Sequence, residues 1–288
     1  MDIQISGLRR TFGKVTALDG LDLTVPGGMY GLLGTNGAGK TTLMRVLAGV
    51  LPPTAGTVGV GGHDLTTRTG RLAVQRRLGY LPQDLGLYPD LSAQEFLDYV
   101  GLLKGLDDTA ARRRQIGELL DMVGLADAAT RKLRGFSGGM RRRVGIAQAL
   151  LGDPALVVVD EPTAGLDPEE RIRFRTLLAS IAAGRTVLLS THIVEDVAQT
   201  CRDTAVMARG RVVFNGQVAD IVQRAEGVTW ELVGQGPPAT GVVVSAVSRS
   251  DGTHYRLVSS SRPDPRAVPV QPSLEEGYVA LMHAGTNG

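Results

Sequence analysis

The chain has one cysteine, Cys201, in 288 residues. A single thiol excludes an intrachain disulfide framework and any zinc site built on cysteine pairs, and it fits a reducing compartment. Cys201 reads as a small, partly buried hydrophobe. No stretch approaches the ~18 consecutive apolar residues of a membrane-spanning helix, and the first residues lack the apolar segment of a secretory signal. The chain is therefore expected to be soluble by itself. Aromatic residues make up only 4%. Lysine is scarce too: Lys14, Lys40, Lys104 and Lys132 are the only lysines among 31 basic residues. With a net charge of +2, composition gives no sign of a nucleic-acid or anionic-surface partner. Sustained heptads and internal repeats are missing as well. What is present is a 43% hydrophobic content, enough for one large domain with a small appendage.

Residues 2–9 and 21–25 alternate and predict strands joined through Gly13 and Gly20. A short buried strand is expected over 29–33 and an apolar-faced helix over 43–47, ended by Pro52-Pro53. Residues 56–62 read as a glycine-rich β segment, and 78–81 as a strand ending at Pro82-Gln83. From Ser92 to about Met122 the pattern is helical, with Ser92 and Glu95 spaced as a capping box. The β-branched run 156–159 predicts a parallel strand covered on both faces. A helix over 172–183, a strand over 186–190, a helix over 194–200 and a hairpin about Arg209-Gly210 complete this part. After Gly216 the character changes. A short helix is expected over 218–225, strands over 229–232, 241–247 and 255–258, a proline-rich linker over 260–272, and a last helix over 274–282 capped by Ser273.

The segment Gly34-Thr35-Asn36-Gly37-Ala38-Gly39-Lys40-Thr41-Thr42 fits the P-loop pattern, between a buried strand and a helix. Successive N–H groups in such a turn converge on an anion, and the following helix presents its unpaired N–H groups to the same place. Lys40 would add a point charge for the β- and γ-phosphates, and the Thr41 hydroxyl would ligate Mg²⁺. A glycine-rich turn before an ordinary helix is the bland alternative. The strand at 156–159 delivers Asp160 and Glu161 at its carboxyl end, where α/β sheets place ligands. Asp160 there can hold Mg²⁺, and Glu161 beside it can accept a proton from attacking water. Ser137, Gly138, Gly139 and Met140 open another helix, with Ser137 as its N-cap. Arg141, Arg142 and Arg143, which follow, read as a solvated face or a nucleic-acid patch.

Together these motifs resemble a nucleotide-binding domain of the ATP-binding cassette (ABC) family, over roughly residues 1–225. GTNGAGKTT is similar to Walker A, LVVVDE to Walker B and FSGGM to the signature. Gln83 in YLPQD matches the Q-loop, residues 164–167 the D-loop, and His192 in LLSTH the switch histidine. The resemblance implies an α/β P-loop NTPase fold: a RecA-like core, an antiparallel β subdomain and a helical signature subdomain at about 84–150. It places the ABC domain at 1–216, leaving 217–288 as a small α+β accessory domain.

The resemblance also implies site roles. Lys40, Glu161 and His192 would be catalytic. Phe12 would stack on adenine, and Asn36, Gly37, Ala38, Gly39, Lys40, Thr41, Thr42 and Gln83 would bind nucleotide. Thr41, Gln83 and Asp160 would hold Mg²⁺. Ser137 to Met140 would reach ATP on a second copy of the chain, in a dimer with two ATP molecules between subunits. Met140, where glutamine is commoner, lacks that residue's hydrogen-bond donor.

The tail, VQPSLEEGY at 270–278, resembles ATPase subunits of type 2 ABC exporters. The implied partner is a separately encoded transmembrane permease, and the implied place is the cytoplasmic face of the membrane, with no nucleic acid involved. A soluble ABC ATPase acting on nucleic acid or the ribosome, and an importer ATPase, are the alternatives. A P-loop kinase or GTPase has no use for FSGGM or for the histidine of STH. His63, His254 and His283 have no motif context and read as surface or packing residues.

Overall fold

The computed structural model describes residues 1–163 and 166–284, so Ala164 and Gly165 of the expected D-loop lie outside the described residues. The chain divides into two units, Met1–His192 with Asp203–Asn215, and Ile193–Arg202 with Gly216–Gly288.

In the first unit, β1 (Ile3–Phe12) and β2 (Val15–Val25) form an antiparallel hairpin, joined by β4 (Ala55–Val60) and β5 (His63–Asp64) in the order β2-β1-β4-β5. Both strands run further than their alternation predicts. Gly7 and Gly20, at φ 57 and 65, sit where the β1–β2 register shifts. A bulge adds a residue and resets the inward–outward alternation, so the period-2 signal breaks while the strand continues.

The second sheet has the order β10-β9-β3-β8-β7-β6, built from β3 (Met29–Gly34), β6 (Leu78–Leu81), β7 (Leu156–Asp160), β8 (Thr186–Thr191), β9 (Asp203–Ala208) and β10 (Arg211–Gln217). The pairs β6–β7, β7–β8, β8–β3 and β3–β9 are parallel. Their largely buried, apolar sequences, β-branched most of all in β7, are what a sheet covered on both faces requires. Leu32, Val158 and Leu188 have no exposed surface and share one core. Burial of each such side chain contributes about 1.5–3 kcal/mol. Arg209 and Gly210, at φ 50 and 77, make the tight β9–β10 hairpin.

The helices of this unit are α1 (Lys40–Leu47), α2 (Arg68–Gln75), α3 (Ala93–Leu103), α4 (Thr109–Met122), α5 (Gly138–Leu150) and α6 (Pro168–Ile181). The capping box forms: Glu95 N–H donates to Ser92 Oγ and Ser92 N–H to Glu95 Oε2. The helical stretch expected over 92–122 is two helices. Gly105, at φ 78, ends the first, and Asp108 caps the second by accepting from the N–H groups of Ala110 and Ala111. Helix α2 was not expected. It buries only Gly70 and Val74, and Leu72 and Val74 are its only large apolar side chains.

The second unit holds α7 (Val194–Thr200), α8 (Val218–Gln223) and α9 (Leu274–Ala284), with a sheet ordered β12-β13-β11-β14. Its strands are β11 (Thr229–Gly234), β12 (Val242–Arg249), β13 (Gly252–Val258) and β14 (Val268–Pro269), the last lying inside the expected linker. Leu232, Tyr255, Leu257 and Ala267 form its core. Gly277 lets α9 lie against α8, because a Cβ there would strike the Ile221 carbonyl. Ser273 Oγ accepts from the Glu275 N–H at 3.2 Å and Ser273 N–H donates to Glu276 Oε2 at 2.7 Å, so the last helix starts as expected. Buried Glu276 also receives Arg256 Nε at 2.7 Å.

Candidate active site

The loop after β3 is shaped by what its glycines exclude. A Cβ on Gly34 would stand 2.6 Å from the Met207 carbonyl, and one on Gly39, at φ 102, would stand 2.6 Å from the Ala17 carbonyl. Gly39 is also the N-cap of α1, and no side chain caps this helix. The first-turn N–H groups of α1, including those of Thr41 and Thr42, are therefore left for an outside acceptor. Lys40 is 5% exposed. Its Nζ donates to the carbonyls of Gly34 at 2.7 Å and Thr35 at 3.2 Å, and lies 3.2 Å from Glu161 Oε1.

The carboxyl ends of β6, β7 and β8 bring the remaining groups to the same edge. Glu161 follows β7 at φ 47, a left-handed conformation that a non-glycine residue adopts only at a cost. Its N–H donates to the Ser190 carbonyl at 2.9 Å. Its carboxylate is held from both sides, by Lys40 and by His192 Nδ1, 2.6 Å from Oε2. Gln83, beyond the end of β6, lines the same cleft of about 560 Å³ as Asn36 to Thr42, Glu161 and His192.

Asp160 has no exposed surface, and neither carboxylate oxygen has a hydrogen-bond donor of good geometry. Burial pushes its carboxyl above the usual range. The Ser190 and Thr41 hydroxyls oppose the shift, Glu161 adds to it, and Lys40 also opposes it. A buried carboxylate in this state is expensive unless a cation faces it. The Thr41 hydroxyl beside it adds a second hard oxygen of the kind Mg²⁺ takes, and Gln83 lines the cleft that Thr41 also lines.

Two groups of expected residues stand elsewhere. Phe12 is 44% exposed at the end of β1 and carries the Arg10 guanidinium 4.7 Å from its ring centroid. It does not line the cleft; its hairpin partner Val15 does, with Thr16 and Ala17. Ser137 caps α5 as expected, accepting from the Met140 N–H at 3.2 Å. Ser137 and Gly138 are exposed, and neither they nor Gly139 and Met140 line the cleft of their own chain. A helix start open to solvent on one copy is what a ligand held by another copy requires.

The three arginines after Met140 do not share a face, because consecutive helical residues point about 100° apart. Arg141 is exposed, while Arg143 donates to the carbonyls of Val123 and Gly124. Arg142 is buried, and its guanidinium donates to the carbonyls of Pro82, Gln83 and Glu161. Reading the trio as one solvated or nucleic-acid-binding face is thus corrected. The signal was the impossibility of one face, which motif spacing does not carry. Of the other histidines, His254 lies between Glu231 Oε1 at 3.0 Å and Asp251 Oδ1 at 2.9 Å, within the second unit.

The ABC transporter family model matches residues 18–164. The Nod factor export ATP-binding protein I of Ralstonia nicotianae is 37% identical over 252 residues, 85% of this chain and 77% of that protein. The daunorubicin/doxorubicin resistance ATP-binding protein DrrA of Streptomyces peucetius is 42% identical over 221 residues, 76% of this chain and 66% of that one. Among solved structures, the ATP binding subunit of an ABC transporter superposes with a TM-score of 0.69 at 29% identity, over 78% of this chain and 93% of that chain. A dimeric bacterial ABC transporter cassette gives a TM-score of 0.69 at 25% identity, over 75% and 98%. With the glycine-lined cradle, the carboxyl-edge site and these likenesses together, the chain belongs to the ABC transporter family.

Proposed function

We propose that this chain binds and hydrolyses ATP to power export through a separate membrane-spanning permease. One observation carries the reading. An uncapped, glycine-shaped helix start, a buried lysine, and a glutamate gripped by that lysine and a histidine meet at one edge of a parallel sheet. The relatives named for Nod factor export and for drug resistance support the exporter class.

In this reading the triphosphate lies along Asn36, Gly37, Ala38, Gly39, Thr41 and Thr42, with the uncapped first-turn N–H groups of α1 turned to it; the Ala38 N–H closes the loop onto the Thr35 carbonyl. Lys40 turns from Glu161 to the β- and γ-phosphates. Glu161 is then free to take a proton from the attacking water, with His192 holding it in place beside the γ-phosphate. Phe12, at the mouth of the cleft and not in its lining, would meet the adenine where the base extends beyond Val15. Asp160, Thr41 and Gln83 would hold Mg²⁺, which when bound neutralises charge across the β- and γ-phosphate oxygens. Asp160, orphaned and fully buried, is the group that supports this fit.

Ser137, Gly138, Gly139 and Met140 complete the site on a second copy, which makes the working unit a dimer around two ATP molecules. The permease meets the surface at Tyr88, which is 51% exposed and packs at a tilt against Phe96 and edge-on against Tyr99, itself 41% exposed. Leu85, by contrast, packs against Gly145 of α5. The chain would be held at the cytoplasmic face through its partner; among the described residues no helix is long and apolar enough to cross a membrane. Residues 1–216 act as the nucleotide-binding domain, with 84–150 as its helical subdomain, and 217–288 as an accessory domain.

Phosphate release from ATP by the purified chain tests the reading. Turnover should require Mg²⁺, and Lys40→Ala should weaken ATP binding as well as turnover. Unchanged binding and turnover in Lys40→Ala would overturn it.

A further inference from the structure

Arg142 is a buried cation whose partners are main-chain carbonyls. It is 8% exposed. Its Nη1 donates to the carbonyls of Gln83 at 2.8 Å and Pro82 at 3.3 Å, and its Nη2 donates to the carbonyl of Glu161 at 3.2 Å. The guanidinium thus ties together three pieces of chain: the start of α5, the segment after β6, and the residue after β7. Gln83 and Glu161 both line the cleft. Arg142 itself does not; its hydrogen bonds reach the site through their backbones, and its charge is felt by the Asp84 and Asp160 carboxylates without a hydrogen bond to either.

Two further observations give this tie a purpose. Glu161 is in the left-handed region at φ 47, and its two main-chain groups are both engaged, the N–H by Ser190 and the carbonyl by Arg142. Loss of one of these bonds frees the peptide to relax toward ordinary backbone angles, carrying the carboxylate away from Lys40 and His192. One turn further along α5, a Cβ on Gly145 would stand 2.7 Å from both Leu81 Cδ1 and Leu85 Cδ2. Helix and loop are therefore in close contact at a second point, so a shift of α5 is felt at Gln83.

We propose that Arg142 is a positioning residue for hydrolysis, fixing the Glu161 and Gln83 backbones in register with the signature helix. The proposal rests on the ATPase reading above. Arg142 makes no contact with the proposed phosphate cradle, so it should govern turnover and leave nucleotide affinity alone. Its planar fork matters as much as its charge. Two separate segments are spanned by Nη1 and Nη2, and an ammonium presents one point where the guanidinium presents two arms.

The test uses full-length Arg142→Met and Arg142→Lys. MgATP affinity is measured by equilibrium titration, and single-turnover hydrolysis is normalised to ATP bound. In Arg142→Met, hydrolysis per bound ATP should fall roughly 10- to 100-fold, the scale of a reacting group misplaced by about an ångström. The dissociation constant should stay within about threefold, the split expected when only the transition state is affected. Arg142→Lys should be intermediate. Hydrolysis in Arg142→Met within about twofold of the unmodified chain would overturn the proposal, as would a parallel loss of affinity and turnover. If Arg142→Met does not fold, Arg142→Lys decides, and full activity in that variant overturns the proposal. Glu161→Gln run alongside separates the two ideas. If it hydrolyses ATP normally, the ATPase reading itself fails; if it is inactive beside a fully active Arg142→Met, only the positioning role fails.

Discussion

Glu161→Gln should separate binding from hydrolysis, and the geometry gives the direction of both effects. Lys40 Nζ and Glu161 Oε1 are 3.2 Å apart, and both side chains are nearly buried, at 5% and 6% exposure. At an effective dielectric of about 20, the Coulomb attraction across that distance is ~5 kcal/mol. An incoming phosphate has to draw Lys40 out of this pair. Glutamine leaves Lys40 a neutral acceptor in nearly the same place, so an ion pair becomes a hydrogen bond from a charged donor to a neutral oxygen and loses part of the carboxylate's attraction. The difference is of order 1 kcal/mol, so the variant should bind ATP about fivefold more tightly. Removing a carboxylate from beside the γ-phosphate acts in the same sense. Hydrolysis should fall by roughly 100- to 10,000-fold, the usual contribution of a general base. Equilibrium titration with MgATP and single-turnover hydrolysis read the two quantities separately. Weaker ATP binding would refute the competition between Glu161 and phosphate for Lys40. Near-normal hydrolysis would refute the assignment of Glu161 as the base.

Two other perturbations test separate parts of the molecule. Tyr88→Asp places a charge on an exposed ring that supports little of the core, so the chain should fold and bind ATP normally while co-purification with its permease or transport is lost; normal assembly and transport would place the docking surface elsewhere. The Asp251 and Glu231 carboxylates beside His254 raise its pKa above the ordinary imidazole value. The sign follows from linkage: this contribution is complete below about pH 6.5 and is lost as pH rises through the raised folded value. Amides of β11 and β13 should accordingly be better protected from hydrogen exchange at pH 5.5 than at pH 8.5, beyond the intrinsic rate difference. His254→Gln should remove that dependence, and its persistence in the variant would refute the role given to His254.

Much of the site was legible because its chemistry is local in sequence. The glycines of the phosphate loop and the valines of β7 each owe their identity to a backbone requirement a few residues long. So does Ser137 at its helix start. The caps at Ser92 and Ser273 were readable for the same reason. What escaped depends on residues far apart in the chain. Arg142 meets Gln83 and Glu161 across intervals of 59 and 19 residues, and no spacing rule announces a guanidinium seated on carbonyls. The bulges at Gly7 and Gly20 erased the alternation that marks a strand. Helix α2 carries only two large apolar side chains in eight residues, and the turn between α3 and α4 was hidden because both helices are apolar on one side. Phe12, named for its aromatic ring, lies just outside the cleft, where a hairpin's reach is set by strand register.

Sedimentation of full-length Glu161→Gln, with and without MgATP, tests the central claim most directly. The claim is that one chain supplies the phosphate cradle and Lys40 while another supplies the exposed helix start at Ser137. With the triphosphate absent, nothing offsets the positive ends of the facing helices and the basic groups beside them. The account predicts a monomer without nucleotide, a dimer with MgATP, and a monomer under both conditions when Ser137→Arg is added. A dimer of equal strength with and without ATP, or one indifferent to Ser137→Arg, would contradict it.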